Sequence, residues 1–206
     1  QLMVVSAGFT STFALIAMCI GLWRFWRHCE METPRMIDLI TAFRNAAKLT
    51  YLGGDQQEGC NDVDNSFSNH RRYFHQAVMW GFMMCFASTC VATFYDYYLK
   101  LEAPYGYFSI PVVLGTLGGI GMVIGCIGLW VIKVRGDPNP RASMQSGLDY
   151  SFIIMLFLSS ASGLILLLLR ETILMPILLA IHLAIVLSLF CLLYTSPSPR
   201  DRQKSR

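Results

Sequence analysis

A chain of 206 residues that is 54% hydrophobic and only 14% charged falls well short of the roughly 25% charged residues of a soluble domain. Its net charge of +3 comes from Arg200, Asp201, Arg202, Lys204 and Arg206, so the rest of the chain is neutral and offers no basic surface for nucleic acid. Of the seven cysteines none forms a C-x-x-C pair, and Cys19, Cys85, Cys90, Cys126 and Cys191 lie in apolar runs, where cysteine acts as a small hydrophobe rather than a metal ligand.

The apolar residues come in long blocks instead of a helical or strand period, the pattern of membrane spans. About 20 residues of helix cross the hydrocarbon layer, and the stretches 2–23, 75–95, 108–132, 150–169 and 173–194 are each long enough. Aromatic residues near their ends, among them Trp23, Trp26, Tyr95, Tyr105, Trp130, Tyr150 and Tyr194, suit the headgroup belts. The fold class expected is all-α, a polytopic transmembrane helical bundle. Five spans are visible; the sequence begins inside an apolar run, as a fragment does, and a cytoplasmic domain ahead of it requires a sixth span upstream of Gln1.

Between the first two spans, Thr33-Pro34 reads as a helix start. Over 34–52, Met36, Ile40, Phe43 and Ala47 share one face while Asp38, Thr41, Asn45 and Lys48 share another. That is an amphipathic helix lying on a membrane surface, followed by a polar connector at 53–60. The third span carries Gly115, Gly118, Gly119, Gly121, Gly125 and Gly128. Its small-x-x-x-small pairs, Gly115/Gly119 and Gly121/Gly125, predict close helix packing, with space for the edge of a flat macrocycle as the alternative.

Alternating spans collect Arg24, Arg27, Arg35, Arg44, Lys48, Arg71, Arg72 and the 133–141 loop on one side, and only Lys100 and Arg170 on the other. The positive-inside rule places the basic side in the cytoplasm. Arg170-Glu171 reads as the charged turn that closes the hairpin of the last two spans.

His28 and His70 lie in polar connections, but His182 stands well inside the last span. An ionisable group at that depth needs a partner within the protein. Haem iron is one such partner, and a hydrogen bond to a neighbouring Ser or Thr is another. His75 opens the second span just after Arg71 and Arg72, which are suited to pair with haem propionates or to face a quinone. His75 and His182 lie at different depths, so they make a poor axial pair for one haem. No nucleophile–base pair, phosphate loop or carboxylate dyad is visible, which leaves a stand-alone enzyme a distant reading.

The runs FMMCFASTCVAT (82–93), APY (103–105), PVVLGTLGGIG (111–121), LLLLRET (166–172) and GLWRFW (21–26), with Gly59-Cys60 and Arg71-Arg72, resemble the membrane part of the tricarballylate/citrate-utilisation protein B family over residues 1–193. The resemblance implies a membrane electron-transfer subunit. It also implies haem b in the bundle, with His182 and His75 as axial-ligand candidates, and 4Fe–4S clusters in an N-terminal domain upstream of this sequence. A FAD-dependent tricarballylate-type dehydrogenase is the implied donor, quinone the acceptor and membrane lipid the surround. Gln76 stands where relatives often carry a second histidine, and 195–206 departs from the family and reads as a non-native tail. A non-redox membrane anchor or transporter-like bundle is the competing reading, disfavoured by the few polar residues in the spans and by the lack of an inverted repeat.

Overall fold

The computed structural model describes residues 2–28, 35–50, 68–101, 103–136 and 143–195. Among the described residues six helices follow one another: α1 (Leu2–His28), α2 (Met36–Lys48), α3 (His70–Tyr97), α4 (Ile110–Arg135), α5 (Ser143–Leu168) and α6 (Met175–Thr195). They confirm the all-α class, and no strand runs among the described residues. The helices α3, α4, α5 over Asp149–Leu168 and α6 over Met175–Leu192 are long and apolar enough to cross a membrane. The expected first span, 2–23, lies within α1; the side chains of 2–7, 10, 11 and 14 are outside the described set. Also outside it are Cys29, Thr33-Pro34, the 53–60 connector with Cys60, most of the 133–141 loop, and the tail from 196 onward.

The chain divides into two compact units. The smaller holds α1, α2 and the end of α6 from Phe190; the larger runs from Leu49 to Leu189. In the smaller unit α2 is shorter than the 34–52 expected. It starts at Met36, where the Asp38 carboxylate reaches back to accept from the Arg35 amide at 3.2 Å, the return half of a capping box. It stops at Leu49, whose φ of 49° breaks the helical path. Met36, Ile40 and Phe43 are all exposed, so the apolar face predicted from the sequence is uncovered, as a membrane-surface helix requires.

The larger unit is built on the α3–α4 hairpin. Facing positions on α3 are Phe74, Val78, Gly81, Cys85 and Ser88, and on α4 Gly115, Gly118, Met122 and Gly125. Both series alternate steps of four and three, the spacing of a heptad seam. Glycine lets the backbones touch: a Cβ on Gly81 would lie 2.7 Å from the Gly118 carbonyl oxygen, and one on Gly118 would lie 2.7 Å from that of Gly81. At one end Gly125 faces Val78 and the Phe74 carbonyl, and Gly128 lies under the Phe74 ring. At the other, the Ser88 hydroxyl donates to the Pro111 carbonyl at 2.5 Å. Ser109 caps α4 in extended conformation with Pro111 in the first turn, and Lys133 and Arg135 occupy the last turn, where cations oppose the helix dipole.

The expected glycine pairs are redistributed. Gly121 and Gly125 both face α3, but Gly119 turns to α5, where its added Cβ would meet Leu164 at 3.0 Å. The glycine face of α4 is therefore filled by protein and leaves no gap for a macrocycle edge there. Across α4 and α5, Lys133 pairs with Asp149 at 2.8 Å, and the Trp130 and Tyr150 rings meet edge-on at 5.2 Å. Only Met122, Cys126, Leu156 and Leu189 form a buried hydrophobic core among the described residues. So much uncovered apolar surface on so long a chain fits lipid as the solvent.

Substitutions separate these contacts. Gly118→Ala, which drives a methyl into backbone, is expected to destabilise by about 1–3 kcal/mol. Gly119→Ala, which meets the flexible end of Leu164, should cost less, and Gly147→Ala, in open space, should be neutral or stabilising. Thermal unfolding in detergent reads the order; equal effects at 118 and 147 would contradict the seam.

Candidate functional site

The α5–α6 hairpin places His182. Met175 starts α6, so His182 lies seven residues in, about 10 Å along the axis. Its half-buried ring packs on α5: the Ser162 Oγ is 2.9 Å from Nδ1, and a Cβ added at Gly163 would lie 3.2 Å from Cε1. The same Oγ lies 3.1 Å from the Ser159 carbonyl oxygen, while neighbouring Ser160 is buried and turns its hydroxyl to the Leu156 carbonyl at 3.0 Å. Among the described residues, Nδ1 is the ring nitrogen that is hydrogen-bonded. The expected Ser or Thr partner thus exists, and it is Ser162.

Neither Ser162 nor Gly163 was singled out by sequence reasoning. A signal was available: Ser159-Ser160-Ala161-Ser162-Gly163 is a small, polar run amid Phe157, Leu158, Leu164 and Ile165. Such a run inside a span marks a face that meets another helix.

His75 stands elsewhere. It is exposed in the second turn of α3, one turn beyond exposed Arg71, with Arg72 half-buried beside them. Both arginines make contacts of their own. His75 is 22 residues from the end of α3 that lies beside the α5–α6 turn, so it and His182 are separated by roughly 20 Å along the bundle. The structure does not bring them together. No group of three or more His, Cys, Asp or Glu side chains is arranged for a metal ion among the described residues.

The hairpin turn beside His182 is pinned from outside. Arg170 donates through Nη1 to the Tyr105 carbonyl at 2.6 Å, and its guanidinium lies 3.8 Å from the centre of the Tyr107 ring. The Tyr107 hydroxyl reaches the Glu171 carboxylate at 3.5 Å. Arg170 therefore does more than close its own hairpin: it ties the α5–α6 turn to the α3–α4 loop. Tyr105 completes the tie by donating to the Ala92 carbonyl at 3.1 Å. Desolvation, with Asp96 and Tyr95 nearby, pushes its phenol above the ordinary value. Thr89 and Thr93 bond within their own helix, to the carbonyls of Cys85 at 3.1 Å and Thr89 at 2.8 Å, an answer open to hydroxyls in hydrocarbon.

Residues 1–198 match the family model described as Citrate utilization protein B. The chain is 44% identical over 184 residues to Citrate utilization protein B of Escherichia coli, an alignment covering 88% of this chain and 48% of that one. It thus spans about half the length of the curated relative it matches. No solved structure matches it.

The tie at Arg170 predicts a stability effect independent of any cofactor. Loss of a charge-assisted hydrogen bond together with ring stacking in Arg170→Ala should destabilise by roughly 1.5–3 kcal/mol. Arg170→Lys should recover little of it, because an ammonium has no planar fork to stack and bond at once. Denaturant unfolding of the detergent-solubilised protein checks this, and a lysine variant as stable as wild type would contradict it.

Proposed function

The chain belongs to the Citrate utilization protein B family, and on that premise we propose that it is the membrane-embedded part of an electron-transfer subunit serving the use of citrate-type tricarboxylates. A FAD-dependent tricarballylate-type dehydrogenase is the electron donor and quinone the acceptor, with 4Fe–4S clusters belonging to a domain outside these 206 residues. Haem b, when bound, supplies the one-electron chemistry that the side chains of the bundle lack.

The observation that carries this reading is the setting of His182. An imidazole well inside an apolar helix is costly unless it has a task, and here one ring nitrogen is held by Ser162 while bare backbone at Gly163 lies against the ring. That donor and that cradle suit a single imidazole ligand. The ring lies between apolar α5 and α6, in a hydrocarbon surround that supplies no water to it. At the opposite end of the bundle His75 is a second ligand candidate at another depth, and Arg71 and Arg72 offer cations to propionates or to a quinone. The basic loops put that end on the cytoplasmic side of a bacterial inner membrane, facing the donor.

The Ser162–His182 bond also suits a non-redox anchor, in which it joins two helices and does nothing more. Absorption spectra of the complete protein, purified from bacterial membranes, separate the two. Reduced-minus-oxidised b-type bands are expected in wild type and are expected to be lost in His182→Ala while the helical content is kept. Well-folded complete protein without such bands contradicts the haem assignment and leaves the anchor.

A further inference from the structure

Ser162 stands at the meeting of two short contacts, 3.1 Å to the Ser159 carbonyl oxygen and 2.9 Å to Nδ1 of His182. A hydroxyl has one proton and two lone pairs. The carbonyl can only accept, so if both contacts are hydrogen bonds, the Ser162 proton points at Ser159 and its oxygen accepts from Nδ1–H. The neutral ring then carries its proton on Nδ1 and an open electron pair on Nε2.

We propose that Ser162 is a positioning residue that fixes the tautomer of His182 and so presents Nε2 as the nitrogen available to a metal centre. The inference rests on the electron-transfer reading for its purpose, but the tautomer stands on these contacts alone. Three features support it. The ring cannot trade Ser162 for water in a hydrocarbon surround. Gly163, one residue on, has no side chain where a Cβ would press on Cε1 at 3.2 Å, so the ring can lie close against α5 with Nδ1 at Ser162. Finally, the hydroxyl's own orientation is set by its helix, since Ser159 is one turn back on α5 and its carbonyl accepts from Ser162. An outer partner of this kind orients the ring and raises its basicity toward a metal.

The test uses the full chain in lipid with ¹⁵N-labelled histidine, the His182 signals being assigned by their absence in His182→Gln. Solid-state NMR of wild type is expected to give a protonated Nδ1 and an unprotonated Nε2. Ser162→Thr, which keeps the hydroxyl, should give the same, and Ser162→Ala should move the population toward the Nε2–H form. Haem titration of protein prepared without haem is the second readout: Ser162→Ala should bind about 10–100-fold more weakly, with Ser162→Thr close to wild type. An Nε2–H tautomer in wild type, or a Ser162→Ala protein unchanged in both readouts, overturns the proposal. A wild type with the Nδ1–H tautomer that takes up no haem leaves the role of Ser162 intact and sinks the electron-transfer reading instead.

Discussion

Inside a bilayer a polar group finds no water, and its partner has to be built into the protein. Most of what distinguishes this bundle from a set of greasy helices answers that demand. Ser88 reaches across to the Pro111 carbonyl, Thr89 and Thr93 fold back onto their own helix, and Arg170 spends its charge on the Tyr105 carbonyl and the Tyr107 face. His182 is the costliest group to place, and the hairpin that holds it is arranged accordingly: a serine on one nitrogen, a glycine beneath the ring, and a turn locked by arginine about 10 Å away along the helix.

The second constraint is dispersion packing without a hydrophobic drive. Lipid tails are as apolar as leucine, so α3 and α4 gain little by burying large side chains and more by bringing backbones into contact. Gly81 against Gly118 does this directly. The α3–α4 pair is the most closely packed part of the larger unit, and α5, packed on it through Gly119 and Leu164, carries Ser162 and Gly163 to their positions against α6.

The sequence makes the helices, the approximate spans and the importance of His182 legible, because each rests on a run of residues or on one misplaced polar group. The uncovered apolar face of α2 is likewise plain from its period. Which glycine meets which helix is not legible: Gly118 and Gly119 are adjacent, and only the rotation of α4 between two neighbours assigns one to α3 and the other to α5. The partner of His182 was foreseen as a type, Ser or Thr, but three serines lie within four residues and the register of α5 against α6 selects Ser162. Arg170 illustrates the same limit. Its charge marked a turn, while its bonding to a loop 65 residues earlier depends on tertiary folding. The start of α2 at Met36 is a local matter of the Asp38 carboxylate accepting from the Arg35 amide.

In the proposed electron-transfer role His182 is the residue that would give the bundle its redox centre, and substrate-driven reduction tests that role most directly. In anaerobic membranes holding the complete protein and its flavoprotein partner, added tricarballylate or citrate-type substrate is predicted to raise b-type haem bands, and added quinone to bleach them. In His182→Ala membranes neither change should occur. Quinone reduction that proceeds unaltered in His182→Ala membranes would contradict the account.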